Sequence, residues 1–282
     1  MGAQPRPLIV HMSLPHPGAV IGSPKNPRVR AAVDLRERRA RDASGLTLVD
    51  GVRELGRALD GGMRVVEVFA DETALTSDAA VVVVRARAAG ATVIPVTGVV
   101  LDRLAYGDRS EGLVATIAVP DLSLEALALP ADPLVVVLEG VEKPGNLGAV
   151  LRSADGAGAD AVIVADPRTD LFNPNAVRAS LGTIFTVPVA AAPSTVVRRH
   201  LASAGLRILA AHVEGSQAYT DVDMRGPLAI VLGSEADGLT GAWTGEDVVP
   251  VRLPMLGVAD SLNVSIAAAI LLYEARRQRG IA

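Results

Sequence analysis

The chain has 282 residues, 50% hydrophobic and 21% charged, enough for one large domain or two ordinary ones with real cores, which excludes intrinsic disorder. It contains no cysteine, which removes thiolate metal sites, thiol nucleophiles and disulfide frameworks together. The formal net charge is −4, yet residues 1–120 carry 15 basic and 13 acidic groups against 12 and 18 in the remainder, so the halves have opposite sign.

The first 24 residues hold apolar pieces interrupted by proline and histidine, with no continuous hydrophobic run, so no secretory signal is expected. Residues 26–45 place Val29, Val33 and Leu35 among arginines, which predicts one amphipathic helix ending near Gly45. Within Lys25 to Arg41 there are seven basic residues against Asp34 and Glu37. Such a cluster can contact phosphates, or it can be a solvated helix face laced by ion pairs. Strands are predicted at Leu46 to Val49, Val65 to Ala70, Thr92 to Val96 and Val114 to Ala118, with helices at Val52 to Leu59 and Ser77 to Ala89. Alternating units of this length imply a small α/β sandwich.

A seam rich in proline and leucine follows, with Pro120, Leu124 to Leu129, Pro130 and Pro133, and reads as a linker. Beyond it, apolar strands are expected at Leu134 to Leu138, Ala161 to Ala165, Leu206 to Val213, Leu228 to Leu232 and Val248 to Leu253, separated mostly by helices. Near-continuous apolar strands of this kind imply a parallel sheet covered on both faces. The last helix, Leu262 to Arg279, ends with three arginines before Gly280. The expected layout is an N-terminal extension (1–23), a small α/β domain (24–119), a linker (120–132) and a larger parallel α/β domain (133–282). The longest apolar stretch, Ile266 to Tyr273, is far short of the roughly 20 residues of a spanning helix. A cytoplasmic protein with no membrane partner is therefore expected.

Several familiar motifs are missing or misplaced. Gly156 to Ala161 spells G-x-G-x-x-A, but it follows a helix and precedes a strand, the reverse of a dinucleotide fold, and reads as a helix C-cap. There is no phosphate-loop or nucleophile-elbow sequence. His11, His16, His200 and His212 are scattered, so no metal is expected. Three other segments carry more information. Glu139 to Arg152 reads as a strand end, a Pro-Gly loop and a helix opening at Asn146 as its cap, with Arg152 projecting from the helix. Leu232-Gly-Ser-Glu-Ala-Asp-Gly-Leu239 places glycines at the end of a strand, where a ligand can approach the backbone. Leu253 to Ser265 runs Ser261, Asn263 and Ser265 into a helix start, where N–H groups and side-chain donors can organise a polar ligand; a simple N-cap accounts for Ser261 alone.

Together, N-x-G-x-x-x-R at 146–152, G-x-E-x-x-G at 233–238 and L-P-M-x-G-x-x-x-S-L-N-V-S at 253–265 closely resemble the three signature motifs of the SpoU (TrmH-type, SPOUT superfamily) RNA 2′-O-ribose methyltransferases. Arg178-Ala-Ser-Leu-Gly182 is similar to the family's R-A-S-x-G stretch. The N-terminal segment, with Asn26-Pro-Arg-Val-Arg30, Leu48 to Arg53 and Glu111 to Ala115, resembles its small ribosomal-protein-like substrate-binding domain. The layout is most similar to the family's actinomycete antibiotic-resistance members, the avilamycin-resistance 23S rRNA branch.

The resemblance implies S-adenosyl-L-methionine as cofactor, a trefoil knot in the C-terminal part, a homodimer, and RNA, expected to be 23S rRNA, as partner. It makes Arg152 the main catalytic residue with Asn146 beside it, while Glu235 can orient Arg152, and Ser261 and Asn263 can bind ribose or cofactor. Cofactor contacts carry over to Gly233, Leu253 and Leu262, with Met255 and Ser261 beside them and Ala211 as a further candidate. Lys25, Arg28, Arg36, Arg38, Arg39 and Arg178 are the expected RNA contacts. A tRNA or housekeeping rRNA target, or a noncatalytic RNA-binding or assembly protein on the same fold, stays open at this level. Arginine is a poor base, its pKa exceeding about 12, so the expected role of Arg152 is to orient a phosphate and stabilise a developing alkoxide.

Overall fold

The structure, a computed structural model, describes residues 19–106, 111–234 and 237–280. Two sheets organise it. The first has four strands, β1 (Leu46–Asp50), β2 (Val65–Ala70), β3 (Thr92–Pro95) and β4 (Leu113–Ala118), in the order β1-β4-β2-β3. Only β2 and β3 pair in parallel. Helices α1 (Pro27–Asp34), α2 (Arg38–Ser44), α3 (Val52–Asp60), α4 (Ser77–Ala88) and α5 (Gly98–Leu104) surround it. The second sheet consists of β5 (Leu134–Glu139), β6 (Ala161–Ala165), β7 (Val189–Ala192), β8 (Arg207–Ala211), β9 (Gln217–Ala218), β10 (Leu228–Leu232) and β11 (Val248–Arg252). Its order is β7-β6-β5-β10-β8-β11-β9 and every pairing is parallel. β5, β6 and β10 are buried at every position, as expected for parallel strands covered on both faces by α6 (Pro144–Ala157), α7 (Pro174–Ala179), α8 (Ser194–Ser203) and α9 (Val264–Arg279). Among the described residues no helix is long and apolar enough to cross a membrane.

The single helix predicted over 26–45 is two helices, and the break has a specific cause. Arg36 turns its guanidinium onto the last carbonyls of α5, donating to Arg103 O, Leu104 O and Ala105 O at 3.0, 3.1 and 2.7 Å. Arg41, 3% exposed, donates to Leu35 O and Arg36 O, two carbonyls at the break, at 2.7 and 2.8 Å. Two helix starts also differ from expectation. α6 opens at Pro144 with Lys143 in the capping position, so Asn146 lies inside the first turn and is not the cap. A proline at the first helical position loses no hydrogen bond and presets φ, which draws the start back to Pro144. α9 is capped by Asn263, whose side chain accepts from Ser265 N at 2.9 Å, and Ser261 stands outside the helix. Asn263 is the last extended residue before the helix, the position a cap must occupy.

Four short elements went unpredicted, α5, α7, β7 and β9. β7 is Val-Ala-Ala-Ala, nearly without β-branched residues, and is recruited by pairing with β6. The proline-rich seam is not a free tether: Leu124 is buried, a 3-10 turn spans Leu124–Ala126, and Leu122 O accepts Ala191 N of β7 at 2.8 Å.

The first part packs against the second through β1 on α7 and α3 on the 3-10 turn Thr183–Phe185. The core that holds Val49, Leu55 and Ile117 of the N-terminal part continues into Leu134, Phe172, Phe185 and Val187. Polar contacts fix the junction. Arg41 Nε meets Asp170 Oδ2 at 2.6 Å, Thr47 donates to Phe172 O at 2.6 Å, and Arg57 donates to Leu181 O at 2.7 Å. Tyr106 OH lies 3.3 Å from both Leu48 O and Pro174 O. Burial, followed by the nearby Asp50 carboxylate, pushes its phenol well up from the ordinary value, so it acts as a neutral donor.

Asp170 is the residue that balances the buried Arg41 charge, their side chains being 17% and 3% exposed. Breaking such a pair from one side leaves a buried cation without its counterion, typically a loss of about 3 kcal/mol or more. Asp170→Ala is therefore expected to lower the unfolding free energy by about 3 kcal/mol in urea titrations. A loss below about 1 kcal/mol would show that the pair is as weak as a surface one.

Candidate active site

β10, β8 and β11 are neighbours and run parallel, so their C-terminal ends open together on one edge of the sheet. A cavity of about 470 Å³ lies there. That size falls within the range of roughly 300–1,000 Å³ found for small-molecule and cofactor sites. All six residues expected at the cofactor, Ala211, Gly233, Leu253, Met255, Ser261 and Leu262, line it. Strand ends supply further walls that the motifs did not mark, among them His212 and Glu214 after β8, Arg252 of β11, and Asp237 and Asp260. The signal that could have located His212 and Glu214 was the predicted strand, since open parallel sheets bind ligands beyond the carboxyl ends of their strands.

The cavity combines apolar walls, including Leu232, Leu239, Val251, Leu253 and Leu271, with the carboxylates of Glu214, Asp237 and Asp260. Apolar surface suits a heterocyclic ring, and carboxylates suit an amine or a sulfonium cation. This donor set fits S-adenosylmethionine, with main-chain groups of the strand ends available to polar edges.

Glycine is required at 233 by the loop itself, whatever approaches it from the cavity. A Cβ there would overlap the carbonyl group of Gly238, and Leu239 N would lie 2.5 Å away. Ser234 and Gly238 pair across the loop, Ser234 N to Gly238 O at 3.2 Å and Gly238 N to Ser234 O at 3.1 Å. Gly233 thus lets the loop close on itself, and the shape of the cavity wall follows from that closure. Glu235 lies outside the described residues.

The catalytic candidates sit on the neighbouring helix. α6 and α9 lie side by side with their starts together and their ends together: Asn263 Nδ2 donates to Asn146 Oδ1 at 3.2 Å, and Arg276 donates to Ala157 O and Gly158 O, each at 2.6 Å. Asn263 thereby joins the start of the cavity-bearing helix to the helix that carries Arg152. Gly148, the glycine of N-x-G, allows α7 to approach α6. A Cβ there would lie 2.5 Å from Ala179 Cβ and 2.6 Å from Ser180 N. The motif glycine and the R-A-S stretch are therefore two sides of one backbone contact. Arg152 is exposed on the outer face of α6 and makes no hydrogen bond or ion pair with any described residue. A guanidinium held on a packed helix, with five donors and none spent on a described residue, is well placed to take an anionic group from outside.

The predicted RNA contacts divide into two groups. Lys25, Arg28, Arg38 and Arg39 are exposed around α1 and α2, as is Arg30. Among the described residues the side chains of Arg28 and Arg38 have only long contacts, with Glu67 at 3.9 Å and Asp42 at 3.5 Å. Arg36 departs from expectation, because its guanidinium is turned onto the end of α5. Arg178 is half-buried at the junction, donating to Tyr106 O at 3.4 Å.

Comparison with known proteins agrees with this geometry. Residues 133–273 match the SpoU rRNA Methylase family and residues 26–115 match the MRM3-like substrate binding domain. A 23S rRNA (guanosine-2′-O-)-methyltransferase, RlmB, of Ralstonia nicotianae is 36% identical over 201 residues, covering 70% of this chain and 81% of the relative. The 23S rRNA (uridine(2479)-2′-O)-methyltransferase of Streptomyces viridochromogenes is 34% identical over 182 residues, covering 61% and 63%. Among solved structures, an RNA 2′-O ribose methyltransferase superimposes with a TM-score of 0.79 at 40% identity, covering 92% of this chain and 99% of its own. The AdoMet-bound rRNA methyltransferase of Sinorhizobium meliloti gives a TM-score of 0.84 at 30% identity, covering 92% and 97%. With its second and third motifs on one cavity, its first on the adjoining helix and both parts of the chain matched, this protein belongs to the SpoU rRNA Methylase family.

Proposed function

We propose that the protein transfers a methyl group from S-adenosylmethionine to a ribose 2′-hydroxyl of RNA, with 23S rRNA as the substrate. One observation carries the reading: the six expected cofactor residues line one cavity, and Asn146 and Asn263 join its helix to the one presenting Arg152, unpaired with any described residue. The bound cofactor would supply an activated methyl group, so the chain has to orient the ribose, manage charge and exclude water. Arg152 fits orientation of the phosphate next to the target ribose and stabilisation of negative charge growing on its oxygen. Asn146, Ser261 and Asn263 offer donors and acceptors to the ribose and cofactor. Glu235, by its place in G-x-E-x-x-G, would orient Arg152.

The same reading takes residues 24–119 as the RNA-gripping domain, 120–132 as the connection, 133–282 as the knotted catalytic domain and 1–23 as an extension. The functional unit would be a homodimer in the cytoplasm. Exposed apolar side chains beside the cavity and on α9, Leu256, Val258, Ile266 and Tyr273, favour a second copy against that face. The substrate is taken as 23S rRNA because relatives named for guanosine and for uridine in that RNA match at 36% and 34% identity. The resistance enzyme of the avilamycin type is one of several comparable relatives, so ribosomal RNA modification is favoured over a particular physiological purpose.

Arg152→Ala is expected to leave S-adenosylmethionine affinity within a few-fold while single-turnover methyl transfer falls by roughly two orders of magnitude or more. Transfer of labelled methyl at the parental rate would remove Arg152 from catalysis.

The second expectation concerns the grip. Replacing Arg30, Arg38 and Arg39 with glutamine should make the log–log salt dependence of RNA binding shallower by about 0.7 for each single-strand phosphate no longer neutralised. S-adenosylmethionine affinity should not move. An unchanged slope would relocate the RNA surface to the region of Arg152 and Arg178. Arg36→Gln should act differently, lowering stability through the end of α5.

A further inference from the structure

Outside the three motifs, the most heavily engaged buried carboxylate near the cavity is Glu139, the last residue of β5 and 2% exposed. It accepts the Thr240 main-chain N–H at 2.7 Å, the Thr240 hydroxyl at 2.8 Å and the Ser194 hydroxyl at 2.5 Å. Ser194 Oγ is also 2.6 Å from Asp166 Oδ2, and a hydroxyl has one proton, so Ser194 donates to only one of these carboxylates at a time. Both Thr240 contacts belong to Glu139 alone.

Thr240 directly follows Leu239, which with Gly233, Ser234, Asp237 and Gly238 forms one wall of the cavity. Glu139 directly precedes the segment that leads into α6. The same two segments meet again at the surface, where Arg168 NH1 contacts Glu142 and Asp237, each at 2.8 Å. That outer contact is exposed to solvent and weak, whereas the Glu139 contact is dry and charge-assisted.

We propose that Glu139 is a positioning residue for the cofactor: through Thr240 it holds the glycine-loop wall of the cavity against the end of β5. Its carboxylate does not line the cavity and acts only through Thr240. This rests on the assignment of the cavity to S-adenosylmethionine. A purely structural role would lower stability through either arm of the Glu139 network; a positioning role separates the Thr240 arm, which leads to the wall, from the Ser194 arm, which leads away to α8.

Glu139→Gln removes the carboxylate charge: the Thr240 N–H exchanges a charge-assisted bond for a neutral one, while the Thr240 and Ser194 hydroxyls turn to accept from the new amide. Calorimetry on the full chain should show the dissociation constant for S-adenosylmethionine rising about tenfold. KM for the cofactor should rise in parallel, and kcat at saturating cofactor and RNA should stay within about threefold. Ser194→Ala should lower the thermal midpoint while leaving cofactor affinity within about twofold. Should Glu139→Gln not fold, Thr240→Val keeps the main-chain donor, removes the hydroxyl, and is expected to weaken cofactor binding about threefold. Unchanged affinity in folded Glu139→Gln, or equal loss in Glu139→Gln and Ser194→Ala, would overturn the positioning role. Failure of the unsubstituted protein to bind S-adenosylmethionine would overturn the cavity assignment and this inference with it.

Discussion

Because β5, β10, β8 and β11 run parallel as consecutive neighbours, all of their outgoing loops leave on one edge of the sheet, and almost every functional feature follows from that edge. Parallel strands buried on both faces cannot place polar side chains within the sheet, so chemistry is pushed to the strand ends. Segments far apart in sequence, after 139, 211, 232 and 252, are brought together without side chains having to find each other across a flexible surface. What remains is to hold these loops still. Gly233 does so by letting one loop pair with itself, and Asn263 does so by capping α9 while touching Asn146 of α6.

Much of this was legible in the residues, and the boundary of legibility is physical. Near-continuous apolar strands such as Leu134–Glu139 and Leu228–Leu232 announced a covered parallel sheet, because only burial on both faces tolerates such runs. The six cofactor candidates follow from the family resemblance, five of them within its motifs and Ala211 outside them, and they share one cavity because they lie at strand ends or before a helix start. β7, with three alanines, has no local pattern of its own and exists through its pairing with β6. His212 and Glu214 carry no motif and are recruited by where β8 ends. Gly148 was read as a motif letter, yet its reason is the passage of Ala179 and Ser180 alongside, a contact invisible in one segment taken alone.

The arginines were the hardest to read, for one reason. A guanidinium has five donors and no acceptor, so it can serve a phosphate from outside or carbonyls from within, and sequence spacing does not tell the two apart. Arg36 and Arg41 satisfy five carbonyls around the break between α1 and α2 and the end of α5, and Arg41 adds the buried contact to Asp170. Arg57, Arg276 and Arg279 do similar work elsewhere, the last reaching Met224 O, Asp132 O and Pro133 O. The +5 charge of Lys25 to Arg41 therefore overstates what faces solvent, since two of its seven cations are committed to the fold.

That commitment sharpens the contrast with Arg152. In a chain whose arginines are so often tied to carbonyls and carboxylates, Arg152 is, with Arg30, Arg39 and Arg199, among those exposed on a helix and unpaired with any described residue. Folding gains little from such a side chain, because an exposed cation without a partner contributes almost nothing to stability. Residues 121–282 carry 12 basic and 18 acidic groups, so such a cation stands there in an acidic surrounding. A polyanion is repelled by most of that half and is attracted only where free guanidinium groups stand out from it. Lys25, Arg28, Arg30, Arg38 and Arg39 are exposed around α1 and α2 in the basic part of the chain, and Arg152 is exposed on α6 in the acidic part. The two sets of exposed cations therefore stand in regions of opposite net charge, and the Arg41–Asp170 pair ties α2 of the basic part to the segment leading into α7 of the acidic part.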